Sequence, residues 1–188
     1  VSNHGGVLAF DPGAKRCGYA HVIDGSGGVY VNRSGILGLD RTRNGKKAPY
    51  QEFRLSLIDY WLDEAYLLIA KAEPEVVVTE IVPVVGGGNF VLAADSQLVA
   101  TVATTIQAVA KLEGIKVEQV AARTVQSRIY AGKKPKSGKI SKAMVRNGVL
   151  KLIPELESRR KEFVKVFDET DAIALGLCHL GYRIESDG

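Results

Sequence analysis

The chain has little cysteine, no long apolar run and, over one stretch, no acid. Two cysteines in 188 residues, Cys17 and Cys178, are too few for a disulfide framework, so a reducing compartment is the expected setting. They read as small buried apolar residues. A zinc site needs two further close ligands that the spacing does not offer. No apolar run approaches the roughly 18–20 residues of a membrane-spanning helix, so no membrane partner is expected. The opening segment 1–6 lacks the pattern of a secretory signal and reads as a frayed leader. There is no internal repeat and no low-complexity tract. The length excludes most two-domain ATPases and synthases. It fits one domain, expected over 7–183 between the leader and a tail at 184–188. Hydrophobic residues make up 46% and charged residues 24%, which is ordinary for a globular protein. A chain of this size buries roughly 70% of its unfolded surface and needs no staples.

The missing acids lie between Arg123 and Lys151. That stretch holds nine Lys or Arg residues and neither Asp nor Glu, so the remainder carries −5 against an overall +4. A basic block on a slightly acidic body fits a local polyanion-binding surface, and equally a solvated loop and helix face.

Val7 to Phe10 is a short apolar run closed by Asp11-Pro12-Gly13, the pattern of a buried strand. Residues 18–23 follow, then the turn 24–28, then a third strand over 29–39. Short turns make these three an antiparallel meander. Residues 40–49 are polar and basic and read as a loop. Over 50–72, Phe53, Leu57, Trp61, Ala65 and Leu68 recur at helical spacing, and Pro74 ends the helix. The β-branched run 75–80 is a fourth strand, stopped by Pro83. The glycines 86–88 lack the following Lys-Ser or Lys-Thr of a phosphate-binding loop. A second helix is expected over 95–113, capped by Asp95 or Ser96 and stopped by Gly114. A fifth strand follows at 116–120, then helical pieces over 124–130, 141–152 and 168–182. The order β-β-β-α-β-α-β-α-α gives an α/β fold with a mixed five-stranded sheet and helices on its faces.

Asp11 ends the first strand and Glu80 the fourth. Asp168 and Asp171, at i and i+3, share one helix face. If the first and fourth strands are neighbours, all four carboxylates converge under the last helix. Each alone has a bland explanation: a turn residue, a helix cap, a first-turn dipole partner. Together they repel one another unless cations intervene, and all-oxygen donors suit Mg²⁺ or Mn²⁺. Two such ions would activate a water and stabilise the leaving oxygen of a phosphodiester.

These blocks carry a resemblance. Residues 10–19 resemble the opening strand of the RuvC family of Holliday-junction resolvases, within the ribonuclease H-like superfamily. Thr79-Glu80 is similar to the family's second acid, and 94–96 to the start of its next helix. Residues 121–125, a basic glycine-containing loop and Ser141-Lys142 resemble its basic segment. Residues 168–179 resemble its closing pair of aspartates and small-residue helix. The resemblance spans about 7–182 and implies a ribonuclease H-like fold. It also implies a divalent-metal endonuclease, working as a homodimer, that cuts two like-polarity strands of a four-way DNA junction in recombination and repair. Asp11, Glu80, Asp168 and Asp171 would be the catalytic residues and ligands of two Mg²⁺ ions, with Mn²⁺ substituting. Arg123, Arg128, Lys133, Lys134, Lys136, Lys139 and Lys142 would bind DNA. Two positions depart from the family. Pro83 stands where an aromatic often wedges into the junction, with Phe90 as a substitute, and Gln126 stands where a lysine is frequent. The loop 40–49 and the insertion around Lys133 are similar to phage-type members, so the cytoplasm of a bacterial or phage-infected cell is the expected location.

Three alternatives stand beside this one. A sugar-kinase or actin-like ATPase shares the early Asp-x-Gly hairpin but needs a second domain and a second phosphate turn. A non-catalytic junction-binding module predicts a lost carboxylate, and all four are present. A related nuclease acting on RNA or other branched DNA fits the same residues. His179, eight residues after Asp171, is a candidate proton carrier behind the site. The helix 97–112 is apolar nearly all round (Leu98, Val99, Val102, Ala103, Ile106, Val109), which fits either a buried core helix or a dimer interface.

Overall fold

The structure is a computed structural model and describes residues 5–39, 42–43, 46–82, 90–131, 138–165 and 167–184. Strand β1 (Val7–Asp11) runs antiparallel to β2 (Arg16–Gly25), which pairs antiparallel with β3 (Gly28–Gly38). The polar stretch read as a loop contains a two-residue ladder, β4 (Thr42–Arg43) with β5 (Lys46–Lys47). Helix α1 (Tyr50–Ala72) leads to β6 (Val76–Glu80), parallel to β1. Helix α2 (Phe90–Leu112) leads to β7 (Lys116–Val120), parallel to β6. The sheet order is β3-β2-β1-β6-β7, so the mixed five-stranded sheet of the α/β reading is what forms. Helices α3 (Ala122–Arg128), α4 (Lys142–Leu152), α5 (Arg160–Lys165) and α6 (Asp168–His179) complete the chain. Among the described residues no helix is long and apolar enough to cross a membrane.

Strand alternation divides the core in two. Leu8, Phe10 and Val77 face α1 and α2, where Phe53, Leu57, Trp61, Leu98, Val102 and Ile106 are buried. Val7, Ala9, Val76 and Val78 face the other way, against Val125, Val145, Val149, Ile173 and Leu177. The period of 2 therefore carries Asp11 and Glu80 onto the second face, the one covered by α6. Both cysteines are buried.

Several boundaries differ from the sequence reading. Helix α2 starts at Phe90, not Asp95, because nothing in the sequence of Phe90–Ala94 breaks a helix; Asp95 and Ser96 lie inside it rather than at its start. Gly114, at φ +74°, ends the turn after α2 as expected. Helix α6 stops at His179, not Tyr182. Residues 154–159 form a 3₁₀ turn leading into α5, neither of which the hydrophobic pattern disclosed. Most of the apolar excess of α2 is core: Leu98, Val102, Ala103, Ile106 and Val109 are buried.

Candidate active site

Register brings the first two acids together. Phe10 pairs with Thr79 across the parallel β1–β6 ladder. Asp11 and Glu80 therefore follow side by side at the carboxyl ends of neighbouring strands, and their carboxyls share a hydrogen bond. Asp168 and Asp171 lie in the first turn of α6. That turn sits close over β2 because residue 18 is a glycine: a Cβ there would overlap the backbone carbonyl of Asp168 and lie 2.9 Å from the nitrogen of Glu169. All four carboxylates line one cleft of about 340 Å³, together with Pro12, Gly13, Arg16, Ala122, Gln126 and Lys142.

Two cations reach into the cleft. Lys142, the first residue of α4, places Nζ 2.5 Å from Asp171 Oδ2. Arg16 Nε lies 3.6 Å from Asp168 Oδ2. Even so, negative charge dominates. Asp11 is pushed well above the usual carboxylate range, first by burial and then by the charges of Asp171, Glu80 and Asp168, with Lys142 opposing. Glu80 is raised by burial and by Asp171, against the hydrogen bond from Asp11 and the charge of Lys142. Asp171 is raised by burial despite its bond to Lys142. Crowded carboxylates that hold protons above their usual range are a cluster short of positive charge. Among the described residues, no three acids, histidines or cysteines yet stand in a metal-holding arrangement. The donor chemistry still fits a hard divalent cation: four carboxylates, no sulfur or nitrogen ligand, and unmet negative charge.

Behind the site, Glu169 anchors the same turn of α6. Ser34 donates to its Oε1 at 2.6 Å, and Arg159 Nη2 lies 3.0 Å from the same oxygen. Arg159 also stacks on Phe163, its guanidinium carbon 4.9 Å from the ring centre. Neither Glu169 nor Arg16 stood out in the sequence. Arg16 had a signal, being five residues after Asp11 across a tight hairpin. Glu169 had none, since its partners come from residues 34 and 159.

The other expected DNA-binding residues scatter. Arg123 is exposed on α3. Arg128 is turned to the far end of α6, where Nη1 reaches the carbonyl of Cys178 at 3.5 Å. Lys139 is exposed ahead of α4. Lys133, Lys134, Lys136, the Pro83 position and the side chain of Phe90 lie outside the described residues. Gln126 lines the cleft itself. His179 is not behind the carboxylates: its Nδ1 lies 3.3 Å from Glu118 Oε2 on β7. Eight residues of helix carry it about 12 Å along the axis from Asp171.

No family model matches this chain, and no curated protein matches it by sequence. Solved structures do match it by shape. Thermus thermophilus RuvC in complex with a Holliday junction substrate superposes with a TM-score of 0.63 at 16% identity, over 93% of this chain and 92% of that one. The yeast mitochondrial Holliday junction resolvase gives 0.55 at 15% identity, over 92% and 76%. The fowlpox virus resolvase with Holliday junction DNA gives 0.50 at 15% identity, over 93% and 96%. The fold is ribonuclease H-like. More narrowly, it is the fold of RuvC and other Holliday junction resolvases, shared across nearly the whole chain.

Proposed function

We propose that this protein is a divalent-metal-dependent endonuclease that cuts branched DNA, four-way junctions in particular. The observation that carries the reading is the meeting of Asp11, Glu80, Asp168 and Asp171, from two strands and a helix, in one cleft rimmed by Lys142 and Arg16. These four carboxylates would hold two Mg²⁺ ions, or Mn²⁺ in their place. When bound, the ions supply activation of a water and stabilisation of the leaving oxygen in phosphodiester hydrolysis. The chain's own part is to fix the ligands: β1 and β6 hold Asp11 and Glu80, and the Ser34–Glu169–Arg159 anchor holds the turn bearing Asp168 and Asp171. Arg16 on the rim is placed to meet a phosphate backbone. The natural setting is the cytoplasm of a bacterial or phage-infected cell, in recombination and repair. The test is cleavage of labelled four-way junction, flap, duplex and RNA–DNA hybrid side by side with Mg²⁺. Preferential paired nicking of the junction is expected. Preference for the hybrid or the flap would move the reading to an RNA-processing or replication nuclease. Binding without cleavage would leave a junction-binding module.

A junction has two equivalent scissile strands, so a two-fold pair of sites matches it and a homodimer belongs to this reading. The outer faces of α1 and α2 are the proposed interface. Leu112 on α2 is 82% exposed, and Leu55, Leu62 and Tyr66 on α1 are 64%, 41% and 50% exposed. Leu55 and Leu62 are seven residues apart and Tyr66 four further on, so the three share one stripe of α1. Sedimentation at micromolar concentration should show a dimer; monomer alone, with and without DNA, would count against it.

The basic segment should grip phosphates without reading bases. Replacing Lys133, Lys134 and Lys136 by Ala should flatten the salt dependence of junction affinity by up to about 3 units of log–log slope, at roughly 0.9 for each phosphate that is no longer neutralised. Binding should weaken alike across junction sequences. An unchanged slope in the triple variant would place the segment away from the DNA.

A further inference from the structure

Lys142 is placed differently from the other residues of the basic segment. It starts α4, directly after the cap Ser141, whose Oγ accepts from the Met144 nitrogen. That cap fixes where the side chain leaves the helix. The ammonium then crosses to Asp171, 29 residues later in sequence, and its field acts on Asp11 and Asp168 as well. Asp171 is the more buried partner: its side chain is 19% exposed against 55% for the lysine. A buried carboxylate that already binds an ammonium has one lone-pair direction taken. A divalent cation bound by the same oxygen must displace that ammonium or share the oxygen with a like charge a few ångströms away, and either is unfavourable.

We propose that Lys142 is a resident counter-ion of the carboxylate cleft that competes with divalent metal for Asp171 and so sets the metal concentration at which the site fills. The inference rests on the metal-site reading given above and adds to it. In the metal-free protein the lysine partly neutralises the cluster and holds the first turn of α6 in place. A bound divalent cation would take its place on Asp171 and leave the ammonium turned to solvent. The competition is between two cations for one oxygen and involves no proton transfer, so it operates at fixed pH. Arg16 does not fill the same role, since its Nε stays 3.6 Å from Asp168 Oδ2, beyond hydrogen-bond reach, and leaves that oxygen open.

The experiment is direct Mn²⁺ binding to the full chain without DNA, by calorimetry or by loss of the free Mn²⁺ electron-spin signal, at one pH and salt. The proteins are wild type, Lys142→Gln, Lys142→Arg and Lys151→Gln. Lys151 lies exposed near the far end of α4, so its replacement removes the same formal charge at a distance. Lys142→Gln should bind Mn²⁺ at least about fivefold more tightly, the lower end of ordinary site–site coupling. Its melting temperature should fall without metal and rise further than wild type's on adding Mn²⁺. Lys142→Arg keeps the competing charge and should bind as wild type does, and Lys151→Gln should change little. Equal affinity for wild type and Lys142→Gln, or equal tightening by Lys151→Gln, would overturn the inference and leave the metal site standing. An absence of Mn²⁺ binding in every protein would overturn both. If Lys142→Gln fails to fold, Lys142→Arg against Lys142→Met in the presence of Mn²⁺ makes the same comparison.

Discussion

Asp11→Asn is expected to lower cleavage at saturating Mg²⁺ by at least about a thousandfold, on the scale of several kcal/mol for metal-ion stabilisation at roughly 1.4 kcal/mol per factor of ten. Glu80→Gln should do much the same. Both variants keep the shape of the site and remove a negative charge near DNA phosphates, so junction binding should be unchanged or tighter. Asp11→Asn should also make the metal-free protein more stable. The folded protein raises the Asp11 pKa above its ordinary value near 3.8, by burial first and by neighbouring acids second. A raised carboxylate favours folding only while it is protonated; that contribution is lost as pH rises through the folded value. Above the ordinary carboxylate range Asp11 therefore costs stability that Asn does not, whether as a buried charge or as a proton that must be taken up on folding. The gain should read as a few degrees in melting temperature, with about 1 kcal/mol corresponding to roughly 2–4 °C at this size. It should shrink as pH falls toward the ordinary carboxylate range. Cleavage by both variants at wild-type rates would sink the site assignment. An unchanged or lower melting temperature for Asp11→Asn in chelator would sink the electrostatic account of it.

Why these residues were legible, and others were not, follows from how far each depends on local pattern. The apolar run before Asp11 and the β-branched run before Glu80 are buried on both faces and bounded by Pro and Gly, so they could be little other than central strands. Strand alternation then decided which face received the acids. Asp168 and Asp171 needed only helical spacing. Lys142 did not stand apart from eight other basic residues, because what distinguishes it is a partner 29 positions away. His179 shows the converse: spacing along a helix gives an angle around the axis but hides the distance along it. The start of α2 was misplaced because Asp95 and Ser96 are good caps by residue type, yet the residues before them continue the helix and leave no free amide for a cap to serve. The 3₁₀ turn and α5 carry Arg159, whose purpose is clear only once Glu169 is seen buried beside it.

Gly18 joins the fold to the site most directly. It pairs with Asp11 across the β1–β2 ladder and faces α6. The missing Cβ is what lets the Asp168 carbonyl lie against the strand. Gly18→Ala forces one backbone away from the other, and neither is a flexible side-chain end that can swing aside. The first turn of α6 has to shift by about an ångström or more, carrying Asp168 and Asp171 away from Asp11 and Glu80. A displacement of that size at a reacting centre costs on the order of a hundredfold in rate. Overpacking of a tight interface costs about 1–3 kcal/mol, which lowers the melting temperature by several degrees. Gly27→Ala is the control: residue 27 lies in the β2–β3 turn, and a Cβ there meets nothing within 4 Å. It should cleave and melt like wild type. Measured well below both melting temperatures, a hundredfold loss in Gly18→Ala alone means that ligand placement has failed while the fold persists. If Gly18→Ala cleaves junctions at the rate of Gly27→Ala, the close seat of α6 on β2 is not what positions the aspartates.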